Sequence, residues 1–351
     1  MGRHLCLING GVADPGPVPV ADADPWLFQD ACALAFRATW VVRGFAPSTI
    51  RSSTSLLARV LARFDRPVWG IGPEDVDGMV RDLVARRRAP GTRRLYVQAL
   101  RSFLEFLRER HQTDIYTRFG VLVGSPVDRF NRARHTTDGS PSVGVPPTVE
   151  RVAAFFAFAR DRVAVAADYR AAARDYAVLR TLYLAGVRVS ELVRLDRCDV
   201  HLAQGTSGRL HVRFGKAANA SGPRPRFTPM LDGLDQVLAW YLADVRPLFP
   251  GTATLFPDPD GAPLKPETVR DRLARLLDLE ARPTSERFAP HALRRACATH
   301  NYERGMDLVA VQHLLGHRHI ASTMAYVKPS ARFVEGAWQR ATATAVTALA
   351  G

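Results

Sequence analysis

Residues 132–147, RARHTTDGSPSVGVPP, set the first limit on what this chain can fold into. Gly and Pro recur at short intervals there among polar residues, so neither a helical nor a strand period survives. The stretch reads as a linker, and 351 residues are enough for a separately cored domain on each side of it. The chain then divides into a flexible leader over 1–23, a helical domain over 24–131, the linker, a second domain over 148–329 and a tail helix over 330–351. The expected class is mainly α with a small antiparallel β-sheet, an α+β chain.

The first domain is read from apolar stripes at helical spacing. Trp26 to Val42 carries one stripe, and Leu56, Leu57, Val60, Leu61 and Phe64 form a second after Pro47-Ser48-Thr49. Val76, Met79, Val80, Leu83 and Val84 form a third, which ends in Arg86, Arg87 and Arg88 before Pro90-Gly91. A longer helix capped by Thr92 points Leu95, Ala99, Leu100, Phe103, Leu104 and Leu107 inward. Its other face holds Arg93, Arg94, Arg101, Arg108 and Arg110. One such arginine is an ordinary solvated residue. The cluster of Arg86, Arg87, Arg88, Arg93, Arg94 and Arg101 favours contact with a DNA backbone.

In the second domain Thr148 is an N-cap candidate, with Val152, Phe155, Phe156 and Ala159 facing inward. A helix from Ala171 stops at Gly186, and a short one starts over Ser190-Glu191. Leu210 to Phe214 alternates apolar with basic residues, and Arg224 to Thr228 can return beside it as a hairpin. Its long turn runs from Gly215-Lys216 to Ser221-Gly222. Helices follow over 231–245, 266–279, 291–303 and 307–315, with Gly316 as C-cap. The tail has Phe333, Trp338, Ala341 and Val346 as anchor candidates.

The net charge of +14 calls for a polyanionic partner. The basic residues are nearly all arginine, the lysines being Lys216, Lys265 and Lys328. No apolar run reaches a membrane span and no secretory pattern opens the chain, so a cytoplasmic location is expected. Cys6, Cys32, Cys198 and Cys297 form no CxxC pair and read as reduced, mostly buried thiols. His313 and His317 make an HxxxH pair, but Gly316 breaks the helix between them and no HExxH glutamate is present, so no metal is expected. His300 and His319 carry no signal of their own and read as surface or supporting residues.

Breaking a DNA strand without metal or nucleotide requires fixed cations around the phosphate, a nucleophile and a proton for the departing oxygen. Arginine grips two oxygens and stays charged. A tyrosine hydroxyl can attack phosphorus once a base or a cationic cluster activates it. Arg188, Lys216, His291, Arg294, His317 and Tyr326 supply these parts in order, and His291 and Arg294 share one helical face.

The same residues carry a resemblance. Ala185-Gly186-Val187-Arg188-Val189-Ser190-Glu191-Leu192 looks like the first box of the tyrosine recombinases, the phage integrase family with its Xer and Cre-like enzymes. Pro290-His291-Ala292-Leu293-Arg294 and Leu314-Leu315-Gly316-His317, with Tyr326 nine residues on, look like the second box. The likeness is close from about 148 to 340. Residues 24–125 resemble the family's core-binding domain in pattern only. It implies that Arg188, Arg294 and His317 hold the scissile phosphate, His291 assists proton transfer, Lys216 is the acid for the 5′ oxygen and Tyr326 is the nucleophile. Glu191 would buttress the site. The family commonly reads Gly-Lys-Gly at the hairpin, whereas here Lys216 opens a lengthened loop.

The resemblance further implies no cofactor, duplex DNA held in a C-shaped grip, and a homotetramer acting on two duplexes through a Holliday junction. The tail helix would either dock on a neighbouring subunit or pack on its own domain. A mobile-element integrase or transposase, with accessory directionality proteins or a partner recombinase, is the expected setting. A type IB topoisomerase-like enzyme, a catalytically silent accessory DNA-binding protein and a metal-dependent nuclease remain open.

Overall fold

A computed structural model describes residues 24–132, 144–215, 225–251 and 253–350, with residues 343–350 described by backbone alone. The leader, the linker from 133 to 143 and the hairpin turn with Lys216 therefore lie outside the described residues. The chain divides into two units, 1–141 and 142–351.

The first unit is a helical bundle of α1 (Pro25–Val42), α2 (Pro47–Leu61), α3 (Pro73–Ala85) and α4 (Pro90–Phe119). All four have Pro in the first turn, where a missing N–H costs nothing. Pro90 rather than Thr92 opens α4, because Ala89 before it is extended. The core joins Phe28, Phe36, Leu57, Val60, Trp69, Val76, Leu83, Leu100, Phe103 and Leu107. Each such side chain contributes roughly 1.5–3 kcal/mol when fully buried. Several residues of the expected stripes point outward, among them Leu27 and Leu34 of the first, Val84 and Leu95. The face of α4 is set by Tyr96 and Val97 instead, and one residue earlier is a rotation of about 100°.

The second unit opens with α5 (Val149–Ala164), where Thr148 Oγ1 accepts the Arg151 N–H at 3.2 Å, and α6 (Tyr169–Leu184). Next come α7 (Val189–Leu192), β1 (Val200–His201), β2 (Arg209–Val212) and β3 (Arg226–Pro229). These strands form one antiparallel sheet in the order β1-β2-β3. Leu210 faces Thr228 and His211 faces Phe227, so Leu210, Val212 and Thr228 bury while His211 stacks on Phe227 outside. After them come α8 (Leu234–Trp240), α9 (Pro266–Leu279), α10 (Pro290–Glu303), α11 (Leu308–Leu315), α12 (Ile320–Tyr326) and α13 (Ala331–Ala350). α8 is shorter than the sequence pattern implies. Asp232 and Gly233 both have positive φ, which no helix can pass through, and a π-helical turn over Tyr241–Val245 takes the remainder.

Helix α6 is central, with Ala173, Ala177, Val178, Leu179, Leu182 and Leu184 all buried in the core shared with α5, α8, α9 and α10. His300 is buried as well. Its Nε2 donates to the Pro147 carbonyl at 3.1 Å, which leaves Nδ1 to accept the Tyr183 hydroxyl at 2.9 Å. In the tail Phe333 packs on Tyr302, but Trp338 and Ala341 are exposed, so Phe333 alone of the described candidates anchors it. The Val346 side chain lies outside the described residues.

Helix α6 ends at Gly186, with φ +57°. A Cβ there would lie 2.9 Å from Leu315 Cδ2 and 3.0 Å from Cys297 Sγ, so this turn needs both the left-handed backbone and the missing side chain. Gly186→Ala is expected to destabilise the second unit by about 2–5 kcal/mol in urea unfolding, combining backbone strain and overpacking.

Candidate active site

Three elements of the second unit, α7, β3 and α10, converge on the carboxylate of Glu191, whose side chain is 1% exposed. Arg188, the N-cap of α7, donates its backbone N–H to Glu191 Oε2 at 2.9 Å and its Nη1 to Oε1 at 2.6 Å. Arg226 of β3 donates Nη2 to Oε2 at 2.8 Å. Arg294 of α10 brings Nη1 to 3.8 Å from the same oxygen. Burial pushes the Glu191 carboxyl up, but the hydrogen bond and charge of Arg226 and the charge of Arg188 outweigh it and hold it at about 2.

The other half of the framework is the end of α11. A helix leaves its last four carbonyls without intrahelical partners. Here Gln312 O accepts His317 N–H at 3.1 Å and His313 O accepts Gly316 N–H at 3.1 Å. Leu314 O accepts Arg226 Nε and Thr228 Oγ1, each at 3.3 Å, and Leu315 O accepts Arg294 Nη2 at 2.7 Å. Gly316 closes the helix at φ +66°, and a Cβ on it would sit 2.7 Å from Arg226 Cδ. The arginines thus occupy the negative end of the helix dipole.

Arg294 is 1% exposed and also donates Nη1 to the Gly186 carbonyl. Its Nη2 lies 3.0 Å from His317 Nε2, and its Nε has no hydrogen-bond partner among the described residues. His317 Nδ1 lies 3.0 Å from the Oγ1 of buried Thr323. Burial, with the charges of Arg294, Arg188 and Arg226, pushes the His317 imidazole down to about 3. Tyr326 ends α12 with its ring centroid 4.8 Å from that of His317 and 5.3 Å from that of His291. Its hydroxyl lies 2.6 Å from His291 Nε2. Partial burial first, then Arg294, Arg295 and Arg188, lower the pKa of His291 and favour its neutral form. A neutral imidazole can accept the phenolic proton.

Arg188, Glu191, His291, Arg294, His317 and Tyr326 are therefore brought together, while Lys216 lies outside the described residues. Arg86, Arg87, Arg88, Arg93, Arg94 and Arg101 belong to the first unit. Arg86 pairs with Asp82 at 2.9 Å and Arg101 with Glu105 at 2.7 Å, and Arg87 and Arg88 are exposed. Sequence reasoning missed Arg226 and Thr323. The basic alternation of β3 gave the only available signal for Arg226.

The second unit is thus mainly helical with one small sheet and an arginine–histidine–tyrosine cluster. The model of the phage integrase family matches residues 157–332, and the chain belongs to that family as a tyrosine recombinase. The tyrosine recombinase XerC of Methylobacterium sp. (strain 4-46) is 32% identical over 316 residues, covering 85% of this chain and 88% of that protein. The tyrosine recombinase XerD of Staphylococcus saprophyticus is 35% identical over 161 residues, 45% of this chain and 50% of its own. Among solved structures, the Tn1549 transposon integrase in complex with circular intermediate DNA superposes with a TM-score of 0.61 at 17% identity. That match covers 88% of this chain and 98% of the other, and it is a likeness of fold. Among the described residues no helix is long and apolar enough to cross a membrane.

The lowered carboxyl fixes the sign of a stability test. A depressed folded-state pKa gives stability that is present above the unfolded value and lost as pH falls through the folded one. For Glu191 that window runs from 4.5 down to about 2, and for His317 from 6.5 down to about 3. Urea unfolding across pH is expected to weaken below 6.5 and more steeply below 4.5. Glu191→Gln is expected to remove the steeper part and to cost about 3–5 kcal/mol at neutral pH, because it leaves buried guanidiniums uncompensated.

Proposed function

We propose that this tyrosine recombinase cleaves and rejoins duplex DNA through a 3′-phosphotyrosyl link on Tyr326, and exchanges strands between two duplexes through a Holliday junction. The observation that carries the reading is the Tyr326 hydroxyl at 2.6 Å from His291 Nε2, with His317 and Arg294 against the same ring. In the forward step the Tyr326 oxygen bonds to phosphorus and its proton passes to His291 Nε2. The bond from phosphorus to the 5′ oxygen breaks, and the leaving oxygen takes a proton from Lys216. Arg188, Arg294 and His317 hold the non-bridging oxygens, where charge builds in the transition state. Glu191 orients the arginines. The phosphotyrosyl ester keeps the energy of the broken bond, so a 5′-hydroxyl can reverse the step without metal or nucleotide.

DNA as partner is supported by the company the fold keeps, since the XerH recombinase is solved bound to a palindromic difH substrate in a post-cleavage complex. The first unit is read as the core-binding domain that grips the duplex, and Arg86, Arg87, Arg88, Arg93, Arg94 and Arg101 as its backbone contacts. Four copies act on two duplexes in the cytoplasm, and α13, with Trp338 67% exposed, is the segment offered to a neighbouring copy. A mobile-element integrase or transposase is the setting to test.

A nicked suicide duplex, carrying a site mapped from covalently bound genomic ends, is expected to trap a protein–DNA adduct in EDTA. Tyr326→Phe should yield none; an adduct that persists in that variant refutes the nucleophile. Relaxation of supercoiled DNA that lacks the site would instead indicate a topoisomerase. With the lowered His291 pKa, the acid limb of the second-order cleavage rate should lie below pH 6.5 and disappear in His291→Ala. Replacing Arg87, Arg88 and Arg94 together with Ala should weaken binding to all sequences. It should also reduce the slope of log affinity against log salt by about 2–3.

A further inference from the structure

The hydrogen-bond line Arg294–His317–Thr323 fixes a proton that the site's use requires to be elsewhere. A guanidinium only donates, so with Arg294 Nη2 at 3.0 Å the Nε2 of His317 must accept. The single ring proton then sits on Nδ1 and is donated to Thr323 Oγ1 at 3.0 Å. The lowered pKa of His317 agrees with a neutral ring. In this state the edge of His317 that faces Arg294 shows only a lone pair, which repels a phosphate oxygen instead of binding it.

We propose that entry of the scissile phosphate reverses this line, and that Thr323 is the positioning residue that permits it. A phosphate oxygen takes over the Arg294 hydrogen. The Nδ1–H bond breaks and an Nε2–H bond forms through exchange with water, with no net proton gained or lost. Nε2–H then donates to the phosphate, and the Thr323 hydroxyl rotates to donate its hydrogen to Nδ1. A hydroxyl both donates and accepts, so it can serve either tautomer. A carbonyl or carboxylate in its place would lock the proton on Nδ1, and a purely donating group would lock it on Nε2.

Thr323 is fully buried and lies three residues before Tyr326 on α12, so it faces no other use at the surface. The switch therefore also ties the phosphate-bound state of His317 to the helix that carries the nucleophile. This inference rests on the reading that His317 faces the scissile phosphate.

Histidine-selective 15N labelling tests it, because two-bond 1H–15N spectra distinguish the two tautomers. His317 is assigned as the signal missing from His317→Gln. The free protein is expected to show Nδ1–H, and Tyr326→Phe bound to a duplex with the mapped site is expected to show Nε2–H. An unchanged Nδ1–H tautomer or a doubly protonated ring in that complex overturns the proposal. In single-turnover adduct formation, Thr323→Ser should keep the rate within about 3-fold, and Thr323→Val should lose about 10- to 100-fold at unchanged DNA affinity. A wild-type rate in Thr323→Val overturns the proposal; if that variant does not fold, the spectra of the threonine-bearing protein decide. Absence of any adduct with the wild-type chain refutes the strand-cleavage reading itself, whereas an adduct with no change of tautomer refutes the relay alone.

Discussion

The Glu191 carboxylate holds the interaction on which the rest of the candidate site depends. Arg188, Arg226 and Arg294 reach it from α7, β3 and α10, with Arg226 11% and Arg294 1% exposed. Guanidiniums confined at such distances repel one another strongly when water is excluded. One carboxylate cannot neutralise three of them. The remaining compensation comes from backbone carbonyls at Gly186, Leu314 and Leu315. Those carbonyls would otherwise be unpaired at the ends of α6 and α11, so the cations and the helix ends satisfy each other.

A surplus of positive charge remains, and it adds to the effect of burial on the histidines. Burial first, and then the arginines, hold His317 at about 3 and lower His291. The site thus sets neutral rings among fixed cations, an arrangement that favours an anion. Because the donors are already locked by Glu191 and the helix ends, the proposed reaction would need little reorganisation as charge develops on a phosphate.

Much of this was legible in the sequence because it was local. Gly186 and Gly316 stop helices by a backbone conformation that only their residue type adopts freely, and the spacing of His291 and Arg294 fixes their shared face. The hairpin of β2 and β3 follows from alternation. Arg226 was not legible, since its partner Glu191 lies 35 residues upstream and its part depends on strand register. Thr323 reads as an ordinary helix residue until His317 is folded against it. The burial of His300 was not legible, and it read as either a surface or a supporting residue, because its two partners, Tyr183 and Pro147, come from distant segments. Val84 and Leu95 show the opposite error, in which apolar character alone cannot say on which side of a stripe's edge a residue falls.

The placement of Tyr326 follows from the same logic of borrowed order. Helix α12 has seven residues, too few to be stable by itself in water. Its end is held from outside: Thr299 Oγ1 accepts the Lys328 N–H at 3.1 Å and lies 3.5 Å from the Tyr326 carbonyl. Val327 is buried with Ala298, Val311 and Leu315 in a small separate cluster. Helix α10 thus presents His291 to the tyrosine hydroxyl, Arg294 to its ring and Thr299 to its backbone. In the proposed reaction the helix that grips the phosphate would then also set the nucleophile, and base, cation and attacking oxygen would share one frame.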